Sequence, residues 1–438
     1  MKIKQISNLW AKCADKDDIS EIKEFLSYED EYWKDNCRHT YKKSFINSKT
    51  GFFPAGFIPL IKEHYDNVEI SCFELFQGGT LNVTLPKGVK LWPHQLELLK
   101  TALLEKRGIL ESPTGSGKTL VIIQIISSIL MNIKIPTLVL TAKKTMLYQL
   151  SQGFTQILQE KIGMVGDNHH EWERITVGMV QTIVNMDKKE IKEKNIGCII
   201  VDEIHHGASV TYQKVLSSIN ATFRYGVSAT PKKLEKNRKD YLKVCAWIGP
   251  IIKEMKYDDV KAHLAIPEVI MYDYPVDYLE EGSWEQAYRY GIVESKARNW
   301  LISEIARGEK GSVLIMVKRI EHGENLQELL PEAVFVQGKD CQETREEAKR
   351  GLGEGKIVIA TTIFGEGVDI PALDMVINAA AGKAEVQTIQ FGGRALRKAK
   401  GKIKGKIVDF WDEGNRHLSN HSYERYNLYK EHGWIKAE

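Results

Sequence analysis

Apolar residues fall into two successive series of short β-branched runs, separated by longer stretches with helical spacing. The first series runs from Leu91 to about Val260 and carries TLVLT, ITVGMV, CIIVDE and YGVSAT. The pattern pauses around His263–Pro267. A second series then begins near Val269 and carries VLIMV, AVFVQ, IVIAT, MVINAA and KIVDF. Strands buried on both faces read as continuous apolar runs, so this alternation predicts parallel sheets flanked by helices. Two α/β units in tandem are expected, at residues 89–263 and 264–416. Residues 1–88 mix helical and strand-like segments without a nucleotide motif and read as a small α+β domain. The polar, aromatic stretch 417–438 reads as a tail containing a short helix packed on the second α/β unit.

Composition narrows the class. With 438 residues, 43% of them apolar and 27% charged, the chain has the balance of a soluble protein of two or three domains. No apolar run approaches the roughly 20 residues needed to span a bilayer. The N-terminus, MKIKQISNLWAKCADKDD, lacks an apolar signal core. Six cysteines are scattered singly, which fits a reducing, cytoplasmic setting better than a disulfide framework. A net charge of +3 says little about partners. Locally, RALRKAKGKIKGK from Arg394 to Lys406 holds seven basic residues and no acid. It reads either as a solvated hairpin or as a phosphate-binding surface.

The strongest local signal is Pro113-Thr114-Gly115-Ser116-Gly117-Lys118-Thr119, set between the apolar run GIL and the helical run LVIIQIISSIL. A P-loop requires this strand–turn–helix context. Its glycines let backbone N–H groups turn towards phosphates, aided by the positive end of the following helix. Lys118 is placed to reach the β- and γ-phosphates of ATP, and the Thr119 hydroxyl to hold Mg²⁺. Further on, CIIVDEIHH ends an apolar strand in Asp202-Glu203. Asp202 is assigned to Mg²⁺, largely through water, and Glu203 to the general base that activates the attacking water. His205 and His206 suggest a metal, but adjacent side chains are expected to point apart and no third ligand is near, so zinc is rejected.

These elements and several further motifs resemble the superfamily 2 DExH helicases. VDEIHH is similar to the DExH box. Leu91-Trp-Pro-His-Gln95 is similar to the adenine-reading segment, with Gln95 as its glutamine. TLVLTAKKTMLYQL resembles the first strand-contacting motif, and Ser228-Ala-Thr230-Pro the SAT motif. Ala360-Thr361 through Gly367-Val-Asp369-Ile-Pro resembles motif V, and Gln390-Phe-Gly-Gly393-Arg394-Ala-Leu-Arg397 has the spacing of motif VI. The matches cover about 90–415 in the family's order. The resemblance implies two RecA-like domains with ATP between them. It places Gly367 and Asp369 with the nucleotide, and Lys144, Gln181 and Thr361 on a nucleic-acid backbone. On a helix, Gln390, Gly393, Arg394 and Arg397 share one face. By resemblance that stripe, with its arginine fingers Arg394 and Arg397, faces the γ-phosphate. Trp92, Ala142 and Met179 depart from the family's pattern outside the hydrolytic groups.

Among these helicases the chain looks most like the phage UvsW-type recombination enzymes. It has a small domain ahead of the motor, and its segment GFFPAGFIPL resembles theirs. Read from its residues, that segment is either a loop packed on the domain core or a wedge that meets branched DNA. The resemblance implies remodelling of branched DNA: fork regression, Holliday-junction migration and unwinding of D- or R-loops in recombination, repair or replication. Partners would be forked DNA and recombination or replication proteins, met by a monomer with no membrane association. Two other readings stay open: an RNA helicase, and an ATP-gated clamp that binds DNA without separating strands.

Overall fold

The computed structural model describes residues 1–34, 37–71, 81–86, 88–113, 116–229, 235–255, 257–275, 283–361, 373–383, 385–398 and 402–435. Of the anticipated site residues, Thr114, Gly115, Gly367 and Asp369 lie outside the described residues, as does the side chain of Gln390. The chain forms two compact units. One comprises Met1–Ser112 with Gly117–Met255; the other comprises Lys256–Glu438 with the short piece Pro113–Ser116. Among the described residues no helix is long and apolar enough to cross a membrane.

The first unit is built on an eight-stranded sheet. Its order is His169–Glu171, Gly163–Gly166, Ile175–Met179, Thr137–Thr141, Cys198–Asp202, Phe223–Ser228, Arg107–Glu111 and Ile251–Lys253. All neighbours are parallel except the hairpin joining the first two strands. The apolar runs of the sequence are these strands. Those at Thr137–Thr141, Cys198–Asp202 and Phe223–Ser228 are buried at every residue. Burial on both faces is why they read as continuous rather than alternating.

The N-terminal strands and helices belong to the same unit and share one apolar core with the sheet. A four-stranded mixed sheet runs in the order Phe52–Pro54, Trp10–Cys13, Lys2–Gln5, Glu69–Ser71. Most of the segment with two readings packs into the core, while Phe52 stays exposed. Phe53, Ala55 and Phe57 are fully buried, and burying each phenylalanine contributes about 1.5–3 kcal/mol. Gly56 lies so close to helix Arg238–Trp247 that a Cβ there would sit 2.0 Å from the Cys245 carbonyl oxygen. Any side chain at 56 would push the two segments apart. Arg107 strengthens the junction, its guanidinium donating to the carbonyls of Asn8, Trp247 and Ile248.

The second unit holds a six-stranded parallel sheet. Its order is Ile266–Tyr272, Lys404–Phe410, Met375–Asn378, Val313–Val317, Ile357–Thr361 and Val334–Val336. The polar C-terminal stretch forms the 16-residue helix Arg416–Glu431. Its Arg425 is buried and donates to Asp409 and Asp412 at 2.9 Å. Tyr429 of the same helix donates to Asp409 at 2.7 Å.

Candidate nucleotide site and strand-contact residues

In the first unit, the carboxyl ends of the central strands carry the anticipated hydrolytic residues. Gly117 takes a left-handed conformation (φ 84°, ψ 38°) immediately before helix Lys118–Ile133, a region that favours glycine. A Cβ there would also come within 2.4 Å of Gln95 Nε2. Gln95 is buried, and its Oε1 accepts from the Trp92 N–H at 3.0 Å, so its amide is held with Nε2 directed at the P-loop glycine. Ser116 is buried, its hydroxyl donating to the Pro113 carbonyl at 2.6 Å. Thr119 is exposed on the first turn of the helix.

Strand Cys198–Asp202 delivers the two carboxylates in different settings. Asp202 is 7% exposed, and Glu203, one residue past the strand, has φ 55°. A non-glycine residue held there is strained, and such strain persists only where packing over-determines it. The packing is visible. Ile204 fills the space above Gly226 of the neighbouring strand, where a Cβ would lie 2.4 Å from Ile204. Glycine at 226 therefore permits the tight turn that presents Glu203.

The Glu203 carboxylate gathers three partners. Lys118 Nζ lies 3.4 Å from Oε1; Ser228 Oγ and His205 Nδ1 lie 3.4 and 3.3 Å from Oε2. His205 Nδ1 and Ser228 Oγ are themselves 3.0 Å apart. Register explains the meeting: Asp202 pairs with Val227, which brings Ser228 level with Glu203. Burial opposes charge on both carboxyls. At Glu203 the Lys118 charge and the hydrogen bond with His205 outweigh burial and hold the group well below the usual carboxylate range. At Asp202 burial and the neighbouring Glu203 charge push the carboxyl up. Of the two, Glu203 keeps its charge more readily.

His205 is the residue whose part sequence reasoning missed: it bridges the general-base candidate and the SAT serine. The two histidines also do not point apart as expected. The short turn Ile204–His206 brings their rings to 4.1 Å, centroid to centroid.

The anticipated strand-contact residues have protein partners. Lys144 pairs with Asp167. Gln181 donates to the Ala142 carbonyl at 3.1 Å, fixing the turn ahead of helix Lys144–Leu158. Met179, one of the departures from the family's pattern, packs against Gly166. In the second unit Thr361 ends its strand 5% exposed, and its hydroxyl has no hydrogen-bond partner among the described residues.

The helical stripe expected for motif VI is corrected. Helix Glu385–Ala395 carries Gln390, Gly393 and the 7%-exposed Arg394, but it ends before Arg397. Arg397 instead forms a β-bridge with Leu264. Tertiary partners stop the helix: Lys402 Nζ donates to the Ala395 carbonyl at 2.6 Å and the Ala265 N–H to that of Leu396 at 2.8 Å. A cation on the terminal carbonyls is a favourable cap. The basic stretch is largely used inside the unit as well. Lys398 bonds the Ala262 carbonyl, Lys404 pairs with Glu268 and Lys406 with Glu309. Lys402, pushed down to about 8 by burial, bonds the carbonyls of Leu373 and Ala395.

Together the first unit offers an ammonium, a first-turn hydroxyl, two strand-end carboxyls and a helix N-terminus entered through a left-handed glycine. This donor set fits a magnesium nucleotide.

Residues 88–233 match the family model described as type III restriction enzyme, res subunit, and residues 269–399 match the helicase conserved C-terminal domain. The DNA 3'-5' translocase XPB2 of Sulfurisphaera tokodaii is 25% identical, over 71% of this chain and 79% of that protein. The ATP-dependent DNA helicase uvsW of Enterobacteria phage T4 is 23% identical, over 90% and 86%. Among solved structures, S. cerevisiae Dbp5 bound to RNA and ADP BeF3 has a TM-score of 0.57 at 16% identity, covering 80% of this chain and 90% of that one. At that identity it is a likeness of fold.

Proposed function

Because the chain belongs to the superfamily 2 helicases, an ATP-hydrolysing family, we propose that it is a DNA motor that remodels branched DNA such as forks, Holliday junctions and D- or R-loops. The observation that carries the motor reading is the continuous contact from Lys118 through Glu203 and His205 to Ser228. It joins the phosphate-binding lysine to the segment whose relatives link hydrolysis to strand grip. The choice of DNA is supported by the two relatives named as a DNA translocase and a DNA helicase.

The residues take these roles. Gln95 reads the adenine, and Thr114, Gly115, Ser116 and Gly117 with Lys118 hold the phosphates. Thr119 and Asp202 hold Mg²⁺, which when bound offsets phosphate charge and keeps Asp202 ionised. Glu203 takes the proton from the attacking water, its charge maintained by Lys118 and His205. Gln390, Arg394 and Arg397, with Gly367 and Asp369, complete the nucleotide site. Lys144, Gln181 and Thr361 meet the backbone, which carries little sequence information and so suits a translocating motor.

The test is ATP hydrolysis by the purified protein with single-stranded, duplex, forked and four-way DNA and with RNA, beside Lys118→Ala. Strong stimulation by branched DNA, absent from the variant, is expected. Stimulation by RNA alone would overturn the DNA assignment and leave the motor intact. No stimulation by any polymer would favour a nucleotide-gated clamp.

A further inference from the structure

Lys144 begins helix Lys144–Leu158, and Tyr148 stands one turn later on the same face. Both are directed at Asp167. The Lys144 ammonium pairs with Oδ1, and the Tyr148 hydroxyl donates to Oδ2 at 2.9 Å. His169 Nε2 lies 3.3 Å from the Tyr148 oxygen, with the two rings edge to face at 5.8 Å. The carboxylate is held from the other side as well. Asp167 and Asn168 have φ 49° and 66° in the two-residue turn between strands Gly163–Gly166 and His169–Glu171. Two left-handed residues are what such a hairpin turn requires. Lys144 and Tyr148 keep the Asp167 carboxyl below the usual carboxylate range, so it is charged at neutral pH.

This is the geometry of an anion seat: a cation and a hydroxyl on one helical face, at the positive end of the helix, each taking one oxygen of a planar anion. A backbone phosphodiester presents two non-bridging oxygens in a comparable arrangement. We propose that Lys144, Tyr148 and His169 form a seat for one phosphate of a bound nucleic-acid strand, and that Asp167 fills it as an internal stand-in until the strand displaces it. The proposal rests on the reading of Lys144 as a backbone contact. The exchange is accessible, since the Lys144 side chain is 66% exposed and can swing from carboxylate to phosphate without rearranging the helix. Asp167 stays nearby after displacement, so a phosphate entering the seat gains almost no net charge neutralisation. Removing that carboxylate charge turns the seat into a full phosphate contact.

The test measures binding of a fluorescent single-stranded oligo-dT by the whole chain, without nucleotide, across a series of NaCl concentrations. Asp167→Asn is the informative variant, because asparagine also tolerates the left-handed turn. It should bind about two- to fivefold more tightly, the range of an exposed ion pair. Its log–log salt dependence should steepen by about 0.7, one added phosphate contact on a single strand. Lys144→Ala should weaken binding slightly in the parent, where Asp167 offsets most of the gain, and by more in the Asp167→Asn background, where it reverses the gain. Equal losses from Lys144→Ala in both backgrounds would overturn the stand-in while keeping Lys144 on the strand. No loss in either background would remove Lys144 from the strand interface, and the seat with it. Unchanged affinity and slope in Asp167→Asn would also overturn the proposal.

Discussion

Each compact unit contains a cluster of charge taken out of water, and the two clusters are built on opposite principles. In the second unit Arg298, Arg425, Asp409 and Asp412 are at most 1% exposed. Two cations meet two anions, and Tyr274, Tyr429 and Asn378 take further carboxylate oxygens. Burial works against both guanidinium charges, but the aspartates outweigh it and both arginines are held more firmly charged than usual. In the first unit two carboxyls, Asp202 and Glu203, meet one lysine and one histidine. One carboxyl is pushed up and the other down, and Glu203 sits in a strained backbone region. Charge that is balanced, hydrogen-bonded and unstrained fastens a helix to a sheet. Charge that is unbalanced and strained is poised for a cation and a reaction. Burial of charge by itself does not separate the two.

The comparison breaks most visibly if the wrong cluster controls the chemistry. Glu203→Gln should lower polymer-stimulated ATP hydrolysis by about 10²–10⁴-fold, the usual worth of a general base, with thermal stability retained. A loss below tenfold would return Glu203 to a structural role. Arg425→Met should do the reverse. Stranding Asp409 and Asp412 inside the unit costs about 3–5 kcal/mol, read as a lower urea midpoint for the C-terminal unit. Hydrolysis by the still-folded fraction should persist at low temperature. An unchanged midpoint would mean that the network contributes nothing net and that helix Arg416–Glu431 docks by its apolar contacts alone.

The same contrast explains what could be read along the chain. TLVLT, CIIVDE and VLIMV announce strands because a doubly covered parallel strand must be apolar throughout. Lys118 and Glu203 stand out because a phosphate cradle needs glycines and a strand end needs acids. What stayed hidden depends on pairing across long separations. His205 reaches Ser228 only because Asp202 and Val227 are in register. Motif VI looked helical through Arg397, but the caps that stop it, Lys402 and Ala265, come from distant or later segments. SNHSYERYNLYKEHGW reads as a short helix packed on the second unit, but its polarity does not reveal that Arg425 and Tyr429 are the residues that turn inward. Polarity alone cannot tell a solvated arginine from one whose carboxylate partners are folded against it.

His205 offers a sharper cut within the first cluster. His205→Ala removes the imidazole that bonds both Glu203 and Ser228, leaving their direct 3.4 Å contact and Lys118 on Glu203. A hydrogen bond to a charged group is worth about 1.5–3 kcal/mol, so stimulated hydrolysis should fall about ten- to hundredfold. Strand affinity should hold, and basal hydrolysis should fall less than the stimulated rate. Equal loss of both rates would place His205 with the hydrolytic groups and deny it a coupling role.

The finest distinction lies beside the balanced cluster, at His322. Burial, and then the nearby Arg298 charge, lower its pKa to about 3. The hydrogen bonds agree. Asn299 donates its amide to the Val293 carbonyl at 2.9 Å, which turns its Oδ1 towards His322 Nε2, also at 2.9 Å. Nε2 therefore carries the hydrogen, and Nδ1, without a partner among the described residues, is the nitrogen that acid would protonate. The unfolded chain, with histidine near its ordinary value of about 6.5, binds the proton first. Stability is thus full above about pH 6.5 and is lost as pH falls towards about 3. By pH 5 the loss should reach about 2 kcal/mol. His322→Gln, which keeps a donor for Asn299, should remove this share of the acid sensitivity of the second unit. If the variant and the parent lose stability in parallel between pH 7 and 5, His322 is not held neutral, and the charge of Arg298 does not reach beyond its aspartate partner.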